Sequence, residues 1–200
     1  MNFWDFCAPF YDLAEKNNGQ AYRKMLGLVN GMVPKGAAVL EAAAGTGSIS
    51  IAVADKASSI LCTDISENML NMARKKVKKR AIDNIKVDNR SIYDLGEPDS
   101  SFDIVIAGQV LHLIDEPKRA AAELRRIAKS MVILPMSFTK NLRGRARFSI
   151  GLYKLFGFAP RIELAADEFA GFLAGLGFDG CEIIQVPGRI PMAVAVYKIQ

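Results

Sequence analysis

From about Ala38 onward, short apolar or β-branched runs alternate with amphipathic helical stretches, and few folds accommodate that order. Each run of strand character is bounded by Gly, Asp, Ser or Pro. These runs cover residues 38–41, 59–64, 85–91, 102–110 and 131–136. Helical periodicity fills the intervals at residues 48–56, 67–79 and 117–128. The order is typical of parallel strands joined by crossover helices, so we expect a doubly wound α/β sheet.

The alternation stops after the fifth strand. A helix is predicted over residues 167–176, ended by Gly177. Two last strands, 181–186 and 192–199, are spaced as in an antiparallel hairpin. The complete expectation is a Rossmann-like three-layer α/β/α sandwich with a mostly parallel seven-stranded sheet and an antiparallel C-terminal strand.

We expect residues 1–200 to form a single domain with two additions to the sheet. Residues 1–33 are predicted to be a helical cap, with aromatic side chains such as Tyr11 clustered at its start. Residues 137–161 are predicted to be an insertion on the substrate side, where basic and aromatic side chains interleave. That mixture suits an aromatic or amphiphilic substrate, peripheral contact with anionic lipid, or simple packing on the domain.

Composition argues against several other classes. No apolar run reaches the roughly 18 residues that cross a bilayer, and the N-terminus lacks the basic start of a secretory signal, so we expect a cytoplasmic protein. Three cysteines without CxxC spacing and the single His112 predict neither a disulfide framework nor a metal site. The net charge is +5. The basic residues concentrate at 74–80 and 140–147, and the first run suits a solvated face, with nucleic acid or anionic membrane as alternatives.

The strongest local signal is Val39-Leu40-Glu41-Ala42-Ala43-Ala44-Gly45-Thr46-Gly47, a strand that runs into a small-residue turn and then a helix. Glycines permit a sharp turn and a close approach of backbone to ligand, and the helix that follows points free N–H groups outward. A nucleotide-like ligand therefore fits there. Glu41, at the tip of the strand, would repel a pyrophosphate and attract a cation.

A second acid, Asp64, ends the next strand, where a carboxylate can accept hydrogen bonds from both ribose hydroxyls. S-adenosylmethionine carries a sulfonium and an ammonium and no phosphate, so the pair of acids favours it over NAD. The alternative is that Glu41 and Asp64 cap the helices that follow them and that the glycines form an ordinary turn.

Together, residues 39–47, 62–70 and 101–105 resemble class I S-adenosylmethionine-dependent methyltransferases, especially the small-molecule group that contains the quinone-biosynthesis C-methyltransferases. The likeness covers about residues 6–128. It implies that Glu41 contacts the methionine part of the cofactor, that Gly45 and Gly47 pass beneath it, and that Asp64 holds the ribose.

The same resemblance implies the remaining cofactor contacts. Ile65 and Met69 would lie against the adenine, although both also suit the core. Ala43 replaces a glycine common in the family, and Ser91 stands where many members carry an acid. The full set of predicted cofactor-binding residues is Tyr11, Glu41, Ala43, Gly45, Gly47, Asp64, Ile65, Met69, Ser91, Ile92 and Gln109.

Residues 108–113 follow the fourth strand, where such enzymes face the methyl-transfer site, and Gln109 is expected to line it. His112 is the candidate catalytic base because histidine titrates near neutral pH. The alternative is that His112 packs and forms hydrogen bonds only. Sulfonium is already a good leaving group, so alignment and exclusion of water suffice for catalysis without a protein base.

We expect a small methyl acceptor, aromatic or amphiphilic, and no nucleic-acid partner. The Asn/Asp-Pro-Pro-aromatic and Pro-Cys signatures of base-methylating enzymes are absent from the sequence, and so is the G-x-G-x-x-G turn of a dehydrogenase. The alternatives are an RNA or protein methyltransferase and a module that binds S-adenosylmethionine without turnover.

Overall fold

The computed structural model describes residues 19–142, 144 and 161–199. The helices in these ranges are α1 (Gly19–Met32), α2 (Ser48–Val53), α3 (Glu67–Lys79), α4 (Pro117–Ile127) and α5 (Phe169–Gly175). The strands are β1 (Ala38–Glu41), β2 (Ser59–Asp64), β3 (Ile85–Asn89), β4 (Phe102–Ile106), β5 (Ala128–Ser137), β6 (Glu182–Val186) and β7 (Met192–Lys198).

The seven strands form one sheet in the order β3-β2-β1-β4-β5-β7-β6. Strands β1 to β5 pair in parallel. Strand β7 runs antiparallel to both β5 and β6, so it lies between them. The expected mostly parallel seven-stranded sheet with an antiparallel C-terminal strand is confirmed, and so is the final hairpin.

The predicted strand ends differ from the observed ends where a turn begins early. Strand β3 ends at Asn89 because Ser91 forms a turn that pairs with Asp94. Strand β4 ends at Ile106, before the left-handed Gln109. Strand β5 is longer than predicted because Ala128 pairs with Phe102 of β4 at one end and Ser137 pairs with Met192 of β7 at the other.

Apolar side chains cover both faces of the sheet. In β1, Val39 belongs to the cluster formed with α1 and α2, and Leu40 belongs to the cluster formed with α4 and α5. Successive residues of a strand point to opposite faces. Both Val39 and Leu40 are completely buried because helices cover both faces. This arrangement gives the three layers and leaves the carboxyl ends of the strands as the edge where loops can carry function.

No helix within the described residues is long and apolar enough to span a membrane. Among the same residues, no group of three or more His, Cys, Asp or Glu side chains is placed to hold a metal ion.

Candidate functional site

The turn after β1 has an unusual backbone. Ala43, Gly45 and Gly47 have φ values of 51°, 56° and 71°, in the left-handed region that favours glycine. The Ala44 N–H donates to the carbonyl of Thr63 at 2.8 Å, and the Gly47 N–H donates to the carbonyl of Ala44 at 2.9 Å. The left-handed backbone of the turn therefore accounts for the small residues that the sequence shows there.

Gly47 also permits a close approach of the turn to its neighbours. A Cβ at this position would lie 3.2 Å from Ala73 Cβ in α3 and 3.4 Å from Cys62 Sγ in β2. The glycine therefore lets α2 begin directly against β2 and α3.

Glu41 is the last residue of β1 and is only 2% exposed. Its Oε2 accepts hydrogen bonds from the backbone N–H of Ser50, at 2.7 Å, and from the Ser50 hydroxyl. Ser50 lies in the first turn of α2, whose N-cap Gly47 has no side chain to supply that bond. Glu41 thus caps α2, as the alternative interpretation expected. Burial and then the Glu41 carboxylate raise the pKa of the neighbouring Cys62 thiol, which stays protonated.

Asp64 ends β2 and connects two segments. Its Oδ2 accepts a hydrogen bond from the Gly45 N–H at 2.8 Å, and its Oδ1 accepts one from the Ser66 N–H at 2.8 Å. The cap of α3 is Ser66, whose hydroxyl accepts from the Met69 N–H at 3.2 Å. Asp64 therefore does not cap α3 directly; it joins the tip of β2 to the glycine turn.

The sheet register brings these groups to one edge. Glu41 pairs with Cys62 of β2 and Ile106 of β4, and the Ala42 N–H donates to the Ile106 carbonyl at 2.8 Å. The tips of β2, β1 and β4 are therefore adjacent, in that order. Two carboxylates and three left-handed residues meet there, and the set includes the predicted cofactor contacts Glu41, Gly45, Gly47 and Asp64.

Ile65 and Met69, both predicted to lie against an adenine, have different surroundings. Ile65 is 61% exposed, directly beyond Asp64, so a large apolar side chain faces outward at the site. Met69 is 1% exposed and belongs to the largest fully buried side chains. Ile65 is therefore open to solvent, whereas the burial of Met69 agrees with the core interpretation.

The loop after β3 contains the predicted residues Ser91 and Ile92. The Ser91 hydroxyl accepts from the Tyr93 N–H at 3.2 Å, and Ile92 is 8% exposed within the apolar core. Arg90 forms ion pairs with Asp88 at 3.1 Å and with Glu97 at 2.6 Å. Arg90 is therefore paired with Asp88 of β3 and Glu97 of the loop. Of the two predicted contacts, Ser91 offers a polar side chain and Ile92 an apolar one.

The loop after β4 contains Gln109 and His112. Gln109 has φ 59°, and its Nε2 is buried without a hydrogen-bond partner among the described residues. His112 is 6% exposed, and its Nδ1 is likewise buried without a described partner. Burial lowers the pKa of His112 to about 4, so the imidazole is neutral at pH 7. A base with so low a pKa is weak, which favours packing over proton transfer.

The first and last parts of segment 137–161 lie beside this loop. The Ile162 N–H donates to the His112 carbonyl at 3.1 Å, and Arg161 pairs with Asp115 at 2.8 Å. The Lys140 N–H donates to the Leu164 carbonyl at 3.2 Å, which joins the two ends of the segment. Residues 143 and 145–160 lie outside the described residues, as does the predicted contact Tyr11.

Sequence reasoning missed one contributor to the turn. The Lys76 ammonium donates to the Thr46 hydroxyl at 2.8 Å and to the Ser48 hydroxyl at 3.2 Å. Lys76 belongs to the basic run at 74–80, for which the sequence predicts a solvated face. Helical periodicity placed residue 76 on α3, but only the packing of α3 against the turn brings its ammonium to Thr46.

Part of the chain is similar to known methyltransferases. A family model described as a methyltransferase domain matches residues 40–134. The demethylmenaquinone methyltransferase of Geobacillus stearothermophilus is 33% identical over 100 residues, which are 48% of this chain and 43% of the relative. That of Renibacterium salmoninarum is 35% identical over 130 residues, 63% of this chain and 52% of the relative. The chain spans about half the length of these relatives.

Solved structures extend the likeness to the whole fold. An S-adenosylmethionine-dependent methyltransferase from Thermotoga maritima has a TM-score of 0.77 at 19% identity, covering 99% of both chains. The magnesium protoporphyrin IX methyltransferase of Synechocystis PCC 6803, solved with bound S-adenosylhomocysteine, has a TM-score of 0.70 at 21% identity, covering 93% of this chain and 87% of that one. At such identities the likeness shows the fold alone.

Proposed function

We propose that the protein, whose residues 40–134 match a family model described as a methyltransferase domain, is a class I S-adenosylmethionine-dependent methyltransferase. It would transfer a methyl group from S-adenosyl-L-methionine to a small aromatic or amphiphilic molecule. The cofactor of the family is S-adenosyl-L-methionine. The acceptor class is the finer part of the proposal and depends on separate observations.

The observation that carries the proposal is the hydrogen bond between the Gly45 N–H and Asp64 Oδ2 at 2.8 Å. It places a carboxylate at the tip of β2 beside the left-handed turn, with buried Glu41 at the neighbouring tip. Two acids at one edge suit a ligand that is cationic and carries a ribose, and they disfavour a pyrophosphate. A carboxylate oxygen can accept more than one hydrogen bond, so the bond from Gly45 is compatible with a ribose hydroxyl at Asp64.

The residues of the site fit S-adenosylmethionine. Asp64 would hold the ribose, exposed Ile65 would cover one face of the adenine, and the turn at Gly45 and Gly47 would admit the ligand close to the backbone. Glu41 would act on the cofactor through its charge while it caps α2. The neighbouring Met69 would pack in the core and would not contact the adenine directly.

When bound, the cofactor supplies an electrophilic methyl group on a sulfonium. The chain's own residues then have to hold the acceptor in line and keep water out. The loop of Gln109 and His112 follows β4, contains the buried His112, and is joined to Ile162 by a backbone hydrogen bond, so it suits both tasks. A neutral His112 with its lowered pKa suits a positioning role better than the predicted role of general base.

A small acceptor is supported by the relatives. Two of the matched proteins are named for demethylmenaquinone and for magnesium protoporphyrin IX, both small molecules that are largely apolar. The interleaved basic and aromatic side chains of segment 137–161 would suit a ligand of that kind. Peripheral contact with anionic lipid is a proposal for the same segment.

Two measurements test the proposal. Titration calorimetry with S-adenosylmethionine and S-adenosylhomocysteine should give micromolar affinities, on the order of 6–8 kcal/mol. Turnover should then release S-adenosylhomocysteine in the presence of phenols, quinols or tetrapyrroles but not of RNA or histone peptides. Binding of NAD, without binding of S-adenosylmethionine or S-adenosylhomocysteine, would contradict the family assignment. Binding without turnover on any acceptor would favour a non-catalytic module.

A further inference from the structure

Gln109 is held in a strained conformation by strand β5. Its φ of 59° lies in the left-handed region that residues other than glycine seldom adopt. The Gln109 N–H donates to the Pro135 carbonyl at 2.9 Å, and Gln109 Oε1 accepts from the Ser137 N–H at 2.8 Å. Both partners belong to a central strand of the sheet. A rigid element therefore fixes the main chain and the side chain of Gln109.

The bond from Ser137 also fixes the orientation of the amide. A backbone N–H is a donor, so the amide atom that faces Ser137 must be the oxygen, and the NH₂ group must point the other way. That nitrogen is buried and has no hydrogen-bond partner among the described residues. A buried donor without an acceptor costs free energy, so a fixed donor of this kind is suited to an acceptor atom that a ligand brings.

The sequence predicts Gln109 both as a cofactor contact and as a residue that lines the methyl-transfer site, and its position in the sheet favours the second role. Glu41 and Asp64 lie at the tips of β1 and β2, whereas Gln109 follows β4 and is held from β5, on the far side of β1 from β2. Gly108 packs so closely on α2 that a Cβ there would lie 2.7 Å from Ile49 Cδ1. The loop therefore lies in contact with α2 as well as with β5.

We propose that Gln109 is a specificity-determining residue whose Nε2 donates a hydrogen bond to an oxygen atom of the methyl acceptor. The proposal rests on the function argued above and narrows the acceptor to molecules with a carbonyl or hydroxyl oxygen. An amide donor is neutral, so it selects for the oxygen without requiring a charged acceptor. A molecule of the same shape without oxygen leaves the donor buried and unpaired, and this difference produces selectivity.

A matched pair of probes tests the proposal. Binding of 1-tetralone, a bicyclic ketone, and of tetralin, its hydrocarbon analogue, is measured by ligand-observed NMR with and without saturating S-adenosylhomocysteine. The variants are Gln109→Met, which removes the donor at similar length, and Gln109→Glu, which keeps an oxygen toward Ser137 and replaces the donor with an acceptor. Gln185, exposed on β6, provides the matched control as Gln185→Met and Gln185→Glu.

We expect the wild type and both Gln185 controls to bind the ketone at least tenfold more tightly than the hydrocarbon. Both Gln109 variants should lose that preference and keep the wild-type affinity for S-adenosylhomocysteine within about twofold. Absence of a ketone preference in the wild type, or its persistence in folded Gln109→Met, would overturn the proposal. A tenfold loss of S-adenosylhomocysteine affinity in the Gln109 variants would overturn it by assigning the amide to the cofactor. Failure of the wild type to bind S-adenosylhomocysteine would instead contradict the methyltransferase proposal. The two failures can be told apart because the probes are also compared without S-adenosylhomocysteine.

Discussion

The N–H of Gly45 and the Oδ2 of Asp64 lie 2.8 Å apart, and this one hydrogen bond connects the turn after β1 to the tip of β2. The same carboxylate receives the Ser66 N–H through its other oxygen. The conformation of the turn and the position of the acid are therefore coupled, so changes on either side should affect ligand binding together.

Asp64→Asn should weaken binding of S-adenosylhomocysteine by about 1–3 kcal/mol, because it replaces a charge-assisted acceptor at the ribose with a neutral amide. Calorimetry measures the loss, and urea unfolding measures the stability that remains. Asp83→Asn, an exposed position away from the turn, is the matched control and should change neither quantity. Unchanged affinity in Asp64→Asn would mean that the acid serves the fold only.

Gly47→Ala should destabilise the protein by about 1–2 kcal/mol, since the left-handed backbone disfavours a Cβ and that Cβ would meet Ala73 at 3.2 Å. Gly27→Ala is the control: Gly27 lies within α1 with no atom near the new methyl group, so alanine there should stabilise by about 0.5–1 kcal/mol. Thermal unfolding reports both changes. If the unfolding temperature shifts in the same direction in both variants, the difference in backbone conformation is not the cause.

Lys76→Met should weaken S-adenosylhomocysteine binding roughly fivefold, about 1 kcal/mol, because it removes the donor that holds the Thr46 and Ser48 hydroxyls. Lys79→Met makes the same charge change at an exposed position of the same helix and should have little effect. If both variants lose affinity equally, the contribution of Lys76 is its long-range charge rather than its contact with the turn.

His112 should contribute to acid sensitivity. Its pKa is lowered from 6.5 to about 4 by burial, so between these values the unfolded chain binds a proton that the folded chain does not. Stability from this group is therefore complete above pH 6.5 and falls as the pH drops toward 4, by about 2 kcal/mol between pH 7 and pH 5. Urea unfolding across this range should give a shallower pH dependence for His112→Asn than for wild type.

The activity profile provides a second test of His112. If its pKa near 4 persists in the complete site, kcat/KM should show no limb near pH 6.5 from this residue, and His112→Asn should keep measurable turnover. Loss of activity by several orders of magnitude in a folded His112→Asn variant would restore the role of general base that the sequence suggested.

Much of the fold and part of the site could be predicted from local patterns. Strand β1, strand β2 and helix α3 have the predicted ends because apolar periodicity and neighbouring Gly, Asp and Ser residues mark them. Glu41 and Asp64 were identified because an acid at the end of a strand that opens into a turn is a local signal. Met69 was ambiguous because an apolar side chain suits a ligand and a core equally.

The sequence by itself determined the alternation of elements, the small-residue turn and the two acids, since each depends on residues a few positions apart. The tertiary structure decided what depends on contacts between distant segments. It placed β7 between β5 and β6, brought the Lys76 ammonium to Thr46 across 30 positions, and buried Gln109 Nε2 beside β5. Such contacts arise only when helices pack on a sheet of defined strand order, because no periodic pattern within one segment records which distant segment it will meet.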